Sequence, residues 1–213
     1  MQSWNAYAKI VTALFVIANP VGVIPTFISL TGGYSATDKR RTSQVTAGTV
    51  FIVLVAAAVL GERLLHFFGI SIASFRVGGG ILILLMAIGM LGAKPSSAHY
   101  TPDETEAATG KESVAVVSLA IPLVAGPGAM STVIIYANHA ATWFDTAFLL
   151  LASLFVAVSV WVALRLADPI STVLGGTGIK IVTRLMGLIL AAVAVEFIAE
   201  GSAQLLPGLG LKG

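Results

Sequence analysis

The chain has 213 residues, of which 57% are hydrophobic and 10% charged, with a net charge of +2 and a mean hydropathy of +0.95. Soluble domains carry about 25% charged residues, so this composition excludes a water-soluble globule and predicts an all-α membrane protein in a lipid bilayer. The Lys and Arg residues form no basic patch, which argues against a nucleic-acid partner, and the absence of cysteine excludes disulfides and thiolate chemistry.

Six segments are apolar over a length sufficient to cross a hydrocarbon core about 30 Å thick, which takes about 20 helical residues. These predicted spans are residues 4–30, 43–65, 70–91, 114–137, 146–167 and 179–200. A polar linker at residues 93–113 separates two three-helix halves, residues 1–92 and 114–213, of a single transmembrane domain that covers residues 1–213.

The loops between these spans carry unequal numbers of Lys and Arg, which tend to stay on the cytoplasmic side. Seven fall on one side and three on the other: Lys39, Arg40, Arg41, Lys94, Lys111, Arg165 and Lys180 against Lys9, Arg63 and Lys212. This asymmetry predicts that both termini face away from the cytoplasm.

The first span is interrupted by the sequence Asn19-Pro20-Val21-Gly22. Proline removes a backbone donor and disfavours a continuous helix, whereas Asn is a preferred N-cap and proline a preferred first helical residue. The pattern predicts that one half-helix ends and another begins at Asn19-Pro20, near the middle of the membrane.

The third span carries Arg76 about six residues from its start. An arginine in hydrocarbon is costly, so its side chain must snorkel to the interface, pair with another group or face a cavity. Two interpretations stay open: a snorkelling arginine near a helix end, or a gating residue that attracts a carboxylate.

The fourth span is interrupted by Ala125-Gly126-Pro127-Gly128, which predicts a second break with a more flexible cap. Glycine at position 128 permits a ligand to approach the backbone closely. Ser131 lies one turn further on, and its hydroxyl is suited either to a ligand or to a carbonyl of its own helix.

The sixth span carries Arg184, which occupies a position like that of Arg76, and Glu196. Glu196 is a candidate proton carrier because burial would favour its neutral form. It also lies within about a turn of the predicted helix end, so the alternative is a side chain that reaches the interface.

These landmarks recur in the two halves at nearly equal intervals. Pro20 and Arg76 are 56 residues apart, and Pro127 and Arg184 are 57 residues apart. Each half has three spans, an odd number, so a duplicated second half must lie inverted relative to the first. The sequence therefore predicts six transmembrane helices as two inverted three-helix repeats, with helices 1 and 4 broken near mid-membrane, an architecture common among secondary transporters.

Backbone groups freed at a break in the membrane must be buried in protein or line a cavity. A helix N-terminus there suits a carboxylate, and the opposing carbonyl end suits an ammonium group or a cation. Two such breaks predict a site for a zwitterion such as an amino acid, although prolines that merely kink their helices are the alternative. The predicted substrate-binding residues are Asn19, Pro20, Val21, Gly22, Ala125, Gly126, Pro127, Gly128 and Ser131, with Arg76, Arg184 and Glu196 as gating or coupling candidates.

The chain shows no pattern of catalytic or metal-binding residues. The three histidines lack metal-ligand spacing, so neither a metal nor another cofactor is expected. No Ser/His/Asp set, nucleotide-binding loop or buried pair of aspartates is recognisable, so an enzyme is not expected. The many glycines permit close helix packing within a protomer or between protomers, which leaves a homo-oligomer open.

Five motifs together resemble those of the MarC family of bacterial membrane proteins. They are ANPVGVIPTF at residues 18–27, FGIS and FRVGGG within residues 68–80, PLVAGPGAM at residues 122–130 and TRLMGLIL at residues 183–190. The resemblance runs from the first span to the last. It carries the family's motifs onto Asn19-Pro20-Val21-Gly22 and Gly126-Pro127-Gly128.

This resemblance implies a six-helix protein of the bacterial inner membrane, which places the predicted termini in the periplasm. It also implies a neutral amino acid transporter within the LysE-like superfamily, moving small solutes such as glycine and alanine with ion or proton coupling. Export of another small metabolite, or a non-transporting assembly subunit of the membrane, are the alternatives.

Overall fold

The computed structural model of the chain describes residues 4–92, 124–140 and 142–206. The predicted linker and residues 114–123 of the fourth predicted span lie outside the described residues. Within those ranges all regular secondary structure is helical. The helices are α1 (Trp4–Ala18), α2 (Ile24–Leu30), α3 (Ala36–Phe67), α4 (Ile72–Leu91), α5 (Pro127–Asn138), α6 (Trp143–Arg165) and α7 (Ala167–Leu205).

Four of these helices, α3, α4, α6 and α7, are long and apolar enough to cross a membrane. They confirm the helices predicted at residues 43–65, 70–91, 146–167 and 179–200. The first predicted span is divided into α1 and α2, and the fourth is described only from residue 124 onward. The total of six spans therefore stays a prediction.

Large apolar side chains cover the outer surface of the long helices. Ile52 is 67% exposed, Phe67 81% and Leu188 62%. Contiguous apolar surface of this extent is rare on soluble monomers and is expected of helices that face lipid. Together with the lengths of the helices, this surface is that of an integral multi-pass membrane protein.

Helix α3 extends beyond its predicted apolar segment at the N-terminal end. Ser35 adopts an extended conformation and its hydroxyl accepts a hydrogen bond from the backbone N–H of Asp38 at 3.1 Å, so it caps the helix. The 32 residues of α3 span about 48 Å, which exceeds a hydrocarbon core of about 30 Å. The extra turns contain the basic residues at positions 39–41 that determined the predicted orientation.

Helix α7 begins earlier than predicted, because residues 167–178 form helix rather than a loop. Asp168 provides an acidic residue in the first turn, which suits a helix N-terminus. The helix is interrupted at Gly175, whose φ of 62° lies in the left-handed region that glycine adopts without strain. Lys39 of α3 contacts Asp168 at 2.9 Å, an exposed ion pair that contributes at most about 1 kcal/mol.

Helices α4 and α7 pack against each other in antiparallel directions through glycines. A methyl group on any of three glycines would lie 2.9 to 3.1 Å from a carbonyl oxygen of the partner helix, closer than side chains normally approach. The pairs are Gly201 opposite Ala73, Gly80 opposite Ala194 and Gly187 opposite Ala87. We call this contact the glycine seam. Such close backbone approach is typical of helix packing in membranes.

The glycine seam makes a prediction about stability. Gly201→Ala should lower the thermal midpoint of the purified protein, because the added methyl group would overlap the Ala73 carbonyl and overpacking costs about 1–3 kcal/mol. Gly48→Ala in α3 is the matched control: no atom lies within 4 Å of the methyl position, so the better helix propensity of Ala should be neutral or stabilising. A midpoint for Gly201→Ala equal to that of Gly48→Ala would contradict the seam.

The shorter helices α1, α2 and α5 each pack against long helices. Helix α1 runs in the same direction as α6, with the Tyr7 and Phe148 rings 4.4 Å apart and the Phe15 and Phe155 rings 6.1 Å apart. The buried core includes Leu14, Ile17, Ile24, Phe27, Ile83 and Ile135, each no more than 2% exposed. Ile17 and Ile24, on either side of the first predicted break, thus belong to this core.

Candidate functional site

The first break follows α1, which ends at Ala18. Asn19 has a φ of 45°, and its side-chain Oδ1 accepts a hydrogen bond from the backbone N–H of Gly22 at 3.1 Å. Asn is one of the few residues that adopts this left-handed conformation readily. A methyl group at Gly22 would lie 2.7 Å from Cγ of Asn19, so the glycine makes room for the folded-back side chain.

The break is confirmed, but the predicted capping role of Asn19 is wrong. Asn19 ends α1, and residues 20–23 form a turn before α2 begins at Ile24. The proline in the first turn of α2 is Pro25 rather than Pro20. Since Pro20 disfavours a helical conformation in the residue before it, Asn19 takes the left-handed conformation instead of starting a new helix.

The second break precedes α5. Gly126 is extended, with φ −62° and ψ 178°, and α5 starts at Pro127 without a side chain that caps its first turn. Ser131 Oγ donates to the carbonyl of Pro127 at 2.7 Å, and Thr132 Oγ1 donates to that of Gly128 at 2.8 Å. Of the two uses predicted for the Ser131 hydroxyl, the structure shows the bond to its own helix.

The two breaks share one buried interior. A methyl group at Gly128 would lie 2.6 Å from Cγ1 of Ile83 on α4 and 3.3 Å from Cγ2 of Ile17, which precedes Asn19 by two residues. Asn19 is 8% exposed. The space that the sequence analysis predicted for a ligand beside Gly128 is occupied by Ile83 in this conformation.

The breaks are staggered along α4 rather than level with each other. The amide Nδ2 of Asn19 lies 3.5 Å from the sulfur of Met90, one residue from the end of α4, whereas Gly128 faces Ile83 in its middle. Seven residues of helix correspond to about 10 Å. The break before α5 therefore lies at the level of the middle of α4, and the break after α1 lies closer to the end of α4.

The predicted substrate-binding residues are all at least half-buried. Those that are buried are Asn19, Pro20, Ala125, Gly126, Gly128 and Ser131, and those that are half-buried are Val21, Gly22 and Pro127. The structure thus brings the residues of the first break and those of the second together in the interior, through the contact of Ile17 with Gly128.

The gating and coupling candidates do not form one cluster. Arg76 is 8% exposed and is paired, since its Nη1 donates to Oε2 of Glu200 at 2.7 Å; its role as a snorkelling or a gating residue stays a prediction. Arg184 is exposed and forms no ion pair with any residue that the structure describes. Glu196 is exposed as well, but α7 continues to Leu205, so Glu196 is not within a turn of the helix end as the sequence analysis predicted; a role in proton transfer stays a prediction.

Glu200 is the functional candidate that sequence reasoning missed. It falls at the very end of the predicted sixth span, where a carboxylate is ordinarily solvated. The positions of the two residues in their spans could nevertheless have indicated the pair. Antiparallel packing of the third and sixth spans brings the start of one beside the end of the other. Arg76, near the start of α4, then meets Glu200, near the end of α7.

The chain matches known membrane proteins along nearly its whole length. Residues 4–206 match the family model described as MarC family integral membrane protein. The chain is 40% identical over 205 residues to the UPF0056 membrane protein YhcE of Escherichia coli, covering 95% of this chain and 94% of that protein. No solved structure matches it with significant similarity.

Similar proteins also occur in other organisms. A UPF0056 membrane protein of Buchnera aphidicola subsp. Schizaphis graminum is 36% identical over 209 residues, with 98% of this chain and 97% of that protein covered. A UPF0056 membrane protein of Pyrococcus horikoshii is 35% identical over 201 residues, with 94% of this chain and 96% of that protein covered. The family predicted from the motifs around both breaks is thereby confirmed, and the chain belongs to the MarC family of integral membrane proteins.

Proposed function

We propose that this protein is a secondary transporter of small neutral amino acids, of the size of glycine and alanine, across the bacterial inner membrane. The observation that carries the proposal is the pair of helix breaks in one buried interior, joined by the contact of Ile17 with Gly128. Irregular backbone at membrane depth is tolerated only inside protein or along a cavity. In secondary transporters, such breaks form the substrate and coupling-ion sites.

The two breaks offer complementary groups to a zwitterion. The first-turn amides of α5, at Gly128 and Ala129, carry the partial positive charge of a helix N-terminus and bind the carboxylate. The carbonyl groups at the end of α1 bind the ammonium group, and the Asn19 amide orients the solute. Ile83 must withdraw from Gly128 to admit it, so the space released suits only a small side chain.

The inverted repeat belongs to this proposal, and the antiparallel glycine seam supports it. A glycine of α4 meets a carbonyl of α7 at Gly80 and Ala194, and a glycine of α7 meets a carbonyl of α4 at Gly187 and Ala87. Such reciprocity is what two copies of one unit related by a two-fold axis would show. Rocking of one half against the other then exposes the site alternately to the periplasm, where both termini lie, and to the cytoplasm.

The proposal is tested by uptake of radiolabelled glycine and alanine into proteoliposomes, with and without a proton gradient. Saturable uptake is expected for the wild type and for Gly48→Ala, whose substitution is remote from the breaks. If the gradient raises uptake, Glu196→Gln tests that carboxylate as the proton carrier. Absence of uptake of both solutes by protein that retains its cooperative thermal transition would contradict the proposed substrates.

A further inference from the structure

The guanidinium of Arg76 is buried but only partly satisfied. Its Nη1 donates to Oε2 of Glu200 at 2.7 Å, whereas its Nε has no acceptor among the residues that the structure describes. Buried polar groups normally have hydrogen-bond partners, and an unpaired one on a charged side chain is costly. The Nε–H group can therefore donate to an acceptor that a bound ligand supplies.

The two partners of this ion pair have unequal freedom. The side chain of Arg76 is 10% exposed and that of Glu200 is 52% exposed. Arg76 is thus held within the bundle, whereas Glu200 approaches it from the surface and can turn away toward water. An anion that competes for Arg76 would displace Glu200 rather than Arg76.

Arg76 also lies beside the proposed substrate site. Gly79, one turn further along α4, packs so closely on Ser131 of α5 that a methyl group on it would lie 2.7 Å from the Ser131 side chain. Tyr136 of α5 interacts electrostatically with Arg76 and Glu200. Along α4, Arg76 is seven residues from the level of Gly128, or about 10 Å. Helix α5 thus runs from its first-turn amides, at the level of Ile83, toward the level of Arg76.

The geometry of the open group favours a carboxylate. The guanidinium presents its donors in a planar fork, and its side-on edge, which includes Nε, binds the two oxygens of a carboxylate bidentately. Glu200 bonds to Nη1 and leaves Nε without an acceptor. Nε is therefore available to donate to one oxygen of a second carboxylate.

We infer that Arg76 is a carboxylate-binding residue on the transport path and that Glu200 is the internal competitor that holds it when no solute is bound. The inference rests on the proposed function only for the identity of the solute as an amino acid. Binding of a carboxylate to Arg76 does not itself require transport. The interaction links solute entry to the release of Glu200 from Arg76.

Ligand-dependent thermal shifts of the detergent-purified protein test the binding. Acetate and glycine should raise the thermal midpoint relative to chloride at equal ionic strength, whereas glycinamide, which lacks the carboxylate, should not. Arg76→Lys keeps the charge but loses the fork, so the shift should disappear. Arg63→Lys, an exposed arginine of α3, is the matched control and should keep it.

Two further variants separate binding from a purely structural ion pair. Glu200→Gln removes the competitor and should lower the half-saturating concentration of glycine and acetate severalfold. Arg76→Glu combined with Glu200→Arg restores an ion pair and should recover the ligand-free midpoint without the carboxylate-dependent shift. Retention of that shift in Arg76→Lys, or an unchanged half-saturating concentration in Glu200→Gln, would overturn the inference.

The uptake assay distinguishes this inference from the proposed function. If neither amino acid is taken up but the Arg76-dependent carboxylate shift persists, the transport proposal fails and the binding site stands. If uptake is saturable and Arg76→Lys leaves its half-saturation constant unchanged, transport stands and the role of Arg76 is refuted.

Discussion

Gly128→Leu is expected to abolish uptake and to lower the thermal midpoint of the protein. Even a methyl group at this position would lie 2.6 Å from Ile83 and 3.3 Å from Ile17, and both neighbours are no more than 1% exposed. Overpacking a filled interior costs about 1–3 kcal/mol or more. The leucine would also occupy the space beside the first-turn amides of α5, to which we assign the solute carboxylate.

A compensating substitution separates these two effects. Gly128→Ala alone should reduce both the thermal midpoint and uptake, and Ile83→Ala in the same chain removes the atoms that the new methyl group would overlap. We expect the double variant to recover much of the midpoint but little of the uptake, with Ile83→Ala alone as the control. Joint recovery of midpoint and uptake would mean that Gly128 serves packing only.

Asn19→Ala is expected to reduce uptake by more than about tenfold and to destabilise the protein by about 2 kcal/mol. Alanine at a φ of 45° costs roughly 1–2 kcal/mol, and the variant loses the hydrogen bond from the Gly22 N–H to Oδ1, worth about 1 kcal/mol. It also loses the contact of Nδ2 with Met90. Uptake and thermal midpoint are measured on the same reconstituted preparation.

Asn19→Gly is the matched variant for this position. Glycine adopts the left-handed conformation freely, so most of the backbone strain is avoided while the side-chain amide is still removed. If the amide orients the solute, Asn19→Gly should transport as poorly as Asn19→Ala despite a higher thermal midpoint. Uptake at the wild-type rate would refute that role for Asn19.

The main features of the fold could be predicted from the sequence because they depend on short-range properties. Apolar length alone identified the helices now seen as α3, α4, α6 and α7. The Gly126-Pro127 pair predicted the start of α5 to the residue, since proline at the first helical position and a glycine before it have few other uses. The total of six membrane spans and the inverted repeat stay predictions.

The details that were missed depend on competition between local preferences or on distant residues. Asn is favoured both as an N-cap and in the left-handed conformation. At Asn19 the left-handed conformation is observed, because the following proline disfavours a right-handed helical conformation there. The helical start of α7 was taken for a loop because its polar residues resemble those of a connection. Arg76 and Glu200 are 124 residues apart in the chain. Prediction of their pairing requires the register of α4 against α7, which hydropathy does not reveal.

The glycine seam has a consequence for the permeability of the bundle. A water molecule has a radius of about 1.4 Å, and between α4 and α7 not even a methyl group fits at Gly80, Gly187 or Gly201 without overlap. In this conformation the contact therefore leaves no room for water at these three glycines. Under the proposed function, the solute path therefore avoids this contact, and we assign it to the side of α4 on which Ile83 meets Gly128 at the start of α5.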